Sequence, residues 1–137
     1  MTPITFLVVE DDDVDMMSIQ RAFKEIGIVN PIKRAVDGQE AWDIVSEASQ
    51  DKAAEHEFII LLDLNMPRMN GLEFLDKFSA NQDFAKTSIF VLTTSDTDDD
   101  IIGAHKHGIS GYLLKSDLVD SMREAITGLE RNWMLVS

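Results

Sequence analysis

Two apolar runs in this chain end in carboxylates. FLVV is followed by Glu10-Asp11-Asp12-Asp13, and FIILL by Asp63-Leu64-Asn65. Two others end differently, IFVL in Thr93-Thr94-Ser95 and GYLL in Lys115. If these runs are strands whose carboxyl ends share one edge, Glu10, Asp11 and Asp63 meet there, with Thr93 and Lys115 on the far side. Three carboxylates in one cleft repel one another. Two unit charges ~5 Å apart at an effective dielectric of ~20 cost roughly 3 kcal/mol, so such a cluster takes up protons, binds a cation or weakens the fold. A hard divalent ion relieves the repulsion, and Mg²⁺ accepts carboxylates, a carbonyl and waters while bridging to phosphate. The cluster holds no imidazole or thiolate, which argues against zinc or copper. A lysine and a hydroxyl facing such an ion suit a phosphoryl group, with Lys115 as a point charge and Thr93 as a hydrogen-bond donor.

The elements that must position these residues are legible in the hydropathy pattern. Strands are expected at Ile4–Val9, Ile32–Val36, Phe58–Asp63, Ser88–Thr93 and Gly111–Leu114. The unbroken apolar runs among them are what strands covered on both faces require. Between them, apolar residues recur at helical spacing. Ile19, Ala22, Phe23 and Ile26 share one face, and Ala41, Ile44, Val45 and Ala48 a second. Leu72, Leu75 and Phe78 give a third helix, and Ile101, Ile102 and His105 a fourth. The fifth stripe is the clearest, running from Leu118 through Met122, Ala125, Ile126 and Leu129 to Trp133. Gly27, Gly71, Gly108 and Gly111 fall at the joints, as helix stops and turns do. The polar stretch Gln50–Glu57 is expected to be a loop. Alternating strands and helices imply an α/β fold with a parallel sheet and right-handed crossovers. Five strands and five helices suit the flavodoxin-like, doubly wound order 2-1-3-4-5. That order puts the first and third strands side by side at the switch point where such sheets bind ligands.

Most of the remaining acidic residues have ordinary roles. Asp12 and Asp13 suit a cap on the first helix. The run Asp96, Asp98, Asp99 and Asp100 suits a helix start and a solvated face. His56, His105 and His107 form no catalytic grouping.

Composition narrows the classes. A chain of 137 residues fits one domain with a proper core. With no cysteine, a disulfide framework, a thiolate zinc site and a cysteine nucleophile are excluded. A formal net charge of −13 argues against general affinity for nucleic acid, whose phosphates repel it. No apolar run reaches the ~20 residues of a membrane span, and the N-terminus lacks the features of a signal peptide. A soluble, cytoplasmic protein is therefore expected.

The same residues resemble the receiver domain of two-component response regulators. FLVVED is similar to that family's first strand with its acidic pair, LLDLNMPRMNG to the phosphoacceptor strand and loop, VLTTS to the fourth-strand switch segment, and GYLLK to the fifth strand with its lysine. The likeness runs through nearly the whole chain, in the same order and spacing. The Lys115-Ser116 junction and late Trp133 also resemble the small stand-alone regulators that pair with bacterial phytochromes.

The resemblance implies that Asp63 accepts a phosphoryl group from a sensor histidine kinase, as a carboxylate nucleophile. It implies that Asp11 ligates Mg²⁺ directly, Glu10 directly or through water, and Asn65 through its backbone carbonyl. Thr93 and Lys115 would hold the phosphoryl oxygens, and Tyr112 would change rotamer as Thr93 moves. Met66 and Pro67 would shape the loop, and Gly71 would begin the third helix. Added phosphoryl charge would then bias a two-state element read by a downstream protein.

Three positions depart from the family pattern. Ser116 stands where proline usually follows the lysine; a cis bond costs little before proline but ~3–4 kcal/mol before serine, so Lys115-Ser116 is either cis and strained or in a different loop. Glu10 replaces the commoner aspartate. Thr94 is bulkier than the usual alanine or glycine and is expected to obstruct the hydrolytic water, slowing self-dephosphorylation. A single receiver domain over residues 1–137 is expected, with no output domain, so the signal leaves through its own surface. The face of the fourth helix, fifth strand and fifth helix is favoured, because Tyr112 borders it. The apolar tail Trp133–Ser137 either covers the domain's own core or joins a homodimer or partner contact.

The alternative is a Mg²⁺-dependent phosphatase of the haloacid-dehalogenase type, which also uses an aspartate after a buried strand. That chemistry wants a second carboxylate two residues on, where this chain has Asn65. A flavodoxin-like cofactor binder needs a phosphate loop after the first strand, and EDDD would repel phosphate.

Overall fold

The computed structural model describes residues 4–50, 57–64, 70–80, 87–93 and 109–127. Five strands form one sheet: β1 (Ile4–Val9), β2 (Ile32–Ala35), β3 (Glu57–Asp63), β4 (Ser88–Thr93) and β5 (Gly111–Leu114). All neighbouring pairs are parallel and the order is β2-β1-β3-β4-β5, the flavodoxin-like arrangement expected. Among the described residues the helices are α1 (Asp13–Ile26), α2 (Gly38–Gln50), α3 (Gly71–Ser79) and α4 (Leu118–Thr127). The pattern at Ile101, Ile102 and His105 lies outside the described residues. So do the end of the last stripe, the tail Trp133–Ser137, the acidic run 96–100 and His56.

Strand alternation divides the core into two layers. Leu7, Val9, Ile60, Leu62 and Val91 face one side, against Ala41 and Val45 of α2 and Phe74, Leu75 and Phe78 of α3. Phe6, Val8, Leu61, Phe90 and Leu92 face the other, against Ile19 and Phe23 of α1 and Leu118 and Met122 of α4. β4 is buried at every position, which explains why its sequence does not alternate: both faces are covered. The second strand stops at Ala35, one residue before expected, and Val36 turns outward at 41% exposure. The polar stretch expected as a loop from Gln50 is entered by α2, which runs through Gln50, and β3 starts at Glu57.

The helix ends follow local chemistry. Asp12 caps α1, its carboxylate accepting from the amides of Val14 and Asp15 at 2.8 and 3.0 Å. This satisfies two of the amides a helix start leaves orphaned. Gly27 ends α1 at φ 91, a left-handed conformation that glycine adopts without a Cβ penalty. Asn70 and Glu73 form a reciprocal capping box on α3.

Gly71 begins α3 as expected, for a specific steric reason. A Cβ there would lie 2.5 Å from the Leu64 Cα and 2.7 Å from the Asp63 carbonyl oxygen. Its amide also donates to the Leu64 carbonyl at 3.1 Å. The start of α3 is thereby pressed against the residue pair that ends β3.

Candidate functional site

The carboxyl ends of β1, β3, β4 and β5 lie along one edge of the sheet. β1 and β3 run in register from Ile4–Glu57 to Val9–Leu62, so Glu10 and Asp63 each follow a paired position. Glu10 still takes part in the ladder, its amide donating to the Ala35 carbonyl at 2.9 Å. Its side chain is fully buried, whereas Asp11 is exposed. Asp63 and Thr93 are each 7% exposed. Thr93 pairs with Leu114 in register, and its carbonyl accepts from the Lys115 amide at 2.7 Å.

Lys115 gathers the site. Its ammonium donates to Asp63 Oδ2 at 3.2 Å and to Asp15 Oδ2 at 2.8 Å. It also lies 3.0 Å from Glu10 Oε2. That last approach lacks hydrogen-bond alignment, and Glu10 Oε2 has no other partner among the described residues. Glu10 Oε1 accepts from the Asp12 amide at 3.2 Å. Burial is the main influence on Glu10 and raises its pKa to about 7; the Lys115 ammonium pulls it down and the Asp63 charge pushes it up. Burial alone would lower the Lys115 pKa, but the carboxylates of Asp15 and Glu10 outweigh it and hold the ammonium above its ordinary range.

The donor set fits a hard divalent cation. Glu10, Asp11 and Asp63 each offer a carboxylate oxygen, and the three atoms lie within 4.8 Å of one another. Ligand distances near 2.1 Å put adjacent ligands ~3.0 Å and opposed ligands ~4.2 Å apart around Mg²⁺, so the three oxygens need only draw together to share one ion. Glu10 Oε2 is a buried acceptor with the Lys115 ammonium beside it but no hydrogen-bond partner among the described residues, which leaves it able to accept a metal ion. All three donors are oxygens, which suits Mg²⁺ or Mn²⁺ better than zinc.

Sequence patterns had foretold Glu10, Asp11, Asp63, Thr93 and Lys115 at this edge, and the structure brings them there. Tyr112 stands one strand position from Leu113, 39% exposed, on the border of a 360 Å³ groove between β5 and α4. Asn65, Met66, Pro67 and Thr94 lie outside the described residues. Among the described residues no peptide bond is cis, so of the two arrangements considered for Lys115-Ser116 the loop is the different one. A tight turn forms there, with the Asp117 amide donating to the Leu114 carbonyl at 3.0 Å.

Two residues escaped the sequence reading. Asp15, in the first turn of α1, makes the shortest contact with Lys115. Its sequence signal is that of an acidic residue in a first helical turn, which ordinarily reads as complementing the helix dipole. Arg34, opposite Val8 on β2, donates from Nε to the Glu10 carbonyl at 3.1 Å and from NH1 to Asp13 at 2.8 Å. It braces the acidic loop from the neighbouring strand, and a lone arginine in a short edge strand was its only sign.

The sequence matches the response regulator receiver domain family over residues 6–127. Response regulator Rcp1 of Synechocystis sp. is 30% identical over 132 residues, spanning 96% of this chain and 90% of its own length. Among solved structures, the bacteriophytochrome response regulator RtBRR is similar with TM-score 0.83 and 25% identity, covering 100% of this chain and 83% of that one. The Mn²⁺-bound form of Rcp1 has TM-score 0.74 and 29% identity, covering 98% and 100%. The phosphorylated cyanobacterial phytochrome response regulator RcpA has TM-score 0.73 and 28% identity, covering the whole of both chains. The phosphatase alternative gains nothing from these relatives and is set aside. Among the described residues no helix is long and apolar enough to cross a membrane.

Proposed function

This chain belongs to the response regulator receiver domains, the switch modules of two-component signalling, and we propose that Asp63 is its phosphoacceptor. The observation that carries this is the Lys115 ammonium 3.2 Å from Asp63 Oδ2, with the buried Glu10 carboxylate 3.0 Å from the same ammonium. A carboxylate at a strand end beside a lysine and a candidate cation site can attack a phosphoryl group without itself being repelled by it. In the transfer, an Asp63 oxygen forms a new bond to phosphorus. The bond from phosphorus to the donor histidine nitrogen breaks, and its electron pair leaves with the nitrogen.

Glu10, Asp11 and Asp63 would hold the divalent ion, with the Asn65 backbone carbonyl as a further ligand. Mg²⁺ is the ion we propose, supported by the all-oxygen donor set. When bound it would supply positive charge that offsets the phosphoryl oxygens. Lys115 and the Thr93 hydroxyl then bind those oxygens. Thr93 and Lys115 are tied through their backbones, so movement at one is felt at the other. Tyr112 would answer that movement by changing rotamer, altering the groove between β5 and α4 that a downstream protein reads. Thr94 would slow hydrolysis, and Ser116 would set the turn that carries Lys115.

The chain is a switch, and we propose self-phosphorylation and self-dephosphorylation as its only chemistry. A sensor histidine kinase is its donor. A bacterial phytochrome is the kinase we propose, supported by relatives named as phytochrome response regulators.

The test is direct. The full chain is incubated with Mg²⁺ and a small acyl phosphate, then the intact mass is measured. A gain of one phosphoryl group that vanishes in Asp63→Asn supports the assignment. No gain, or a gain that persists in Asp63→Asn, overturns it.

A further inference from the structure

Lys115 has three N–H donors and three carboxylates around it, but these carboxylates are not equivalent. Glu10 and Asp63 belong to the candidate cation site. Asp15 does not: it projects from α1, its side chain 38% exposed, and makes the shortest of the three contacts at 2.8 Å. A dication held by Glu10 and Asp63 would stand close to the Lys115 ammonium, and the two positive charges would repel. The lysine must then give up Glu10 Oε2 and part of its hold on Asp63. Lys115 sits only 17% exposed, where an unpaired ammonium is costly. Among the described residues, Asp15 is the carboxylate outside the cation site that can keep it paired.

From this geometry we propose that Asp15 is a positioning residue that retains Lys115 at the mouth of the site when a divalent cation takes the Glu10 and Asp63 oxygens. The inference rests on the cation site proposed above. Asp15 lowers the cost of exchanging one positive charge for another within the cluster. It does so without being a ligand itself, and it leaves the ammonium near enough to meet a phosphoryl oxygen. Without Asp15, the ammonium's remaining partners among the described residues are the cation-site carboxylates Glu10 and Asp63, and it competes with the ion for them.

Asp15 also attracts a cation through space, so a single substitution does not isolate its action through Lys115; a double-mutant cycle does. Mg²⁺ is titrated calorimetrically into the full chain as wild type, Asp15→Asn, Lys115→Gln and the double variant. Each variant's fold is checked by circular dichroism. The direct attraction is common to both backgrounds. The inference predicts that Asp15→Asn weakens Mg²⁺ binding by roughly threefold or more beyond its effect in the Lys115→Gln background, the scale of coupling within one charge network. An equal or smaller loss when Lys115 is present, or a gain in affinity, overturns it. Asp11→Asn is the control for the site itself. Wild-type binding that depends on Asp11 while the cycle shows no excess overturns the role of Asp15 alone. No Mg²⁺ uptake by wild type, or uptake indifferent to Asp11→Asn, overturns the cation site and this inference together.

Discussion

The backbone amide of Lys115 donates to the carbonyl of Thr93 across 2.7 Å. The backbones of the two residues proposed to hold the phosphoryl oxygens are therefore joined where the β4–β5 pairing ends, at Thr93 and the residue after Leu114. Neither residue is placed by a loop alone. Thr93 ends the fully buried β4 and Lys115 directly follows the edge strand β5, so their spacing is set by backbone pairing, and a shift of either strand end moves both. This is the coupling that a phosphoryl-driven switch needs, and it frames what substitutions around the site should do.

Gly71 is expected to tolerate no side chain. A Cβ would meet main-chain atoms of Asp63 and Leu64, which have no rotamer with which to yield. Gly71→Ala should destabilise the fold by ~1–3 kcal/mol, the usual scale of overpacking, and slow phosphorylation by displacing Asp63. Urea unfolding and acyl-phosphate uptake check the two effects; an alanine variant with unchanged midpoint and rate contradicts the steric account.

Glu10 should impose a pH dependence on the protein in chelator. Its pKa rises on folding from the ordinary 4.5 to about 7, chiefly through burial. The folded state therefore binds the proton more tightly than the unfolded state. The resulting stability is complete below pH 4.5 and is lost as pH rises through 7. The whole window corresponds to as much as ~3 kcal/mol. Lys115, whose pKa is also raised on folding, stays protonated in both states here and adds no slope. Thermal melts in chelator should show wild type losing stability between pH 4.5 and about 7, relative to Glu10→Gln. Parallel curves for the two proteins would remove Glu10 as the cause.

Arg34 and Asp13 form an ion pair whose ends should differ in importance. The Asp13 side chain is 86% exposed, and exposed pairs contribute ~0–1 kcal/mol. Arg34 also donates to the Glu10 carbonyl, and hydrogen bonds to charged groups are worth ~1.5–3 kcal/mol. Asp13→Ala should thus be nearly silent in denaturant unfolding and Mg²⁺ titration, while Arg34→Met lowers both stability and Mg²⁺ affinity. Equal effects from the two would place the weight on the ion pair instead.

Thr94 follows the switch threonine, where a bulky residue is expected to hinder the hydrolytic water. Thr94→Ala should shorten the phosphoryl half-life several-fold, followed by loss of the phosphorylated mass over time. A half-life unchanged or lengthened in the variant rules the steric role out.

Much of this molecule was legible before its structure was described. The parallel sheet follows from FLVV, FIILL and IFVL, because only strands covered on both faces can be apolar at every position. Glu10, Asp11, Asp63, Thr93 and Lys115 stood out because each follows such a run, and strand order then brings those ends together. The departure at Ser116 was visible too, but its outcome was not: the sequence leaves open a strained bond or another loop, and the Leu114–Asp117 turn resolves it.

Local chemistry in the sequence thus determined the strands, the caps and the identity of the reactive groups, because periodicity and residue type act over a few neighbours. The tertiary structure decided which groups share a charge. Lys115 and Asp15 lie 100 positions apart, and no local pattern links them. Their meeting depends on α1 packing beside α4 on one face of the sheet, with one ammonium then within reach of three carboxylates at once. Contacts of that kind arise only when the core fixes the helix against the sheet. The reach of Arg34 from the neighbouring strand to the Glu10 carbonyl was hidden for the same reason.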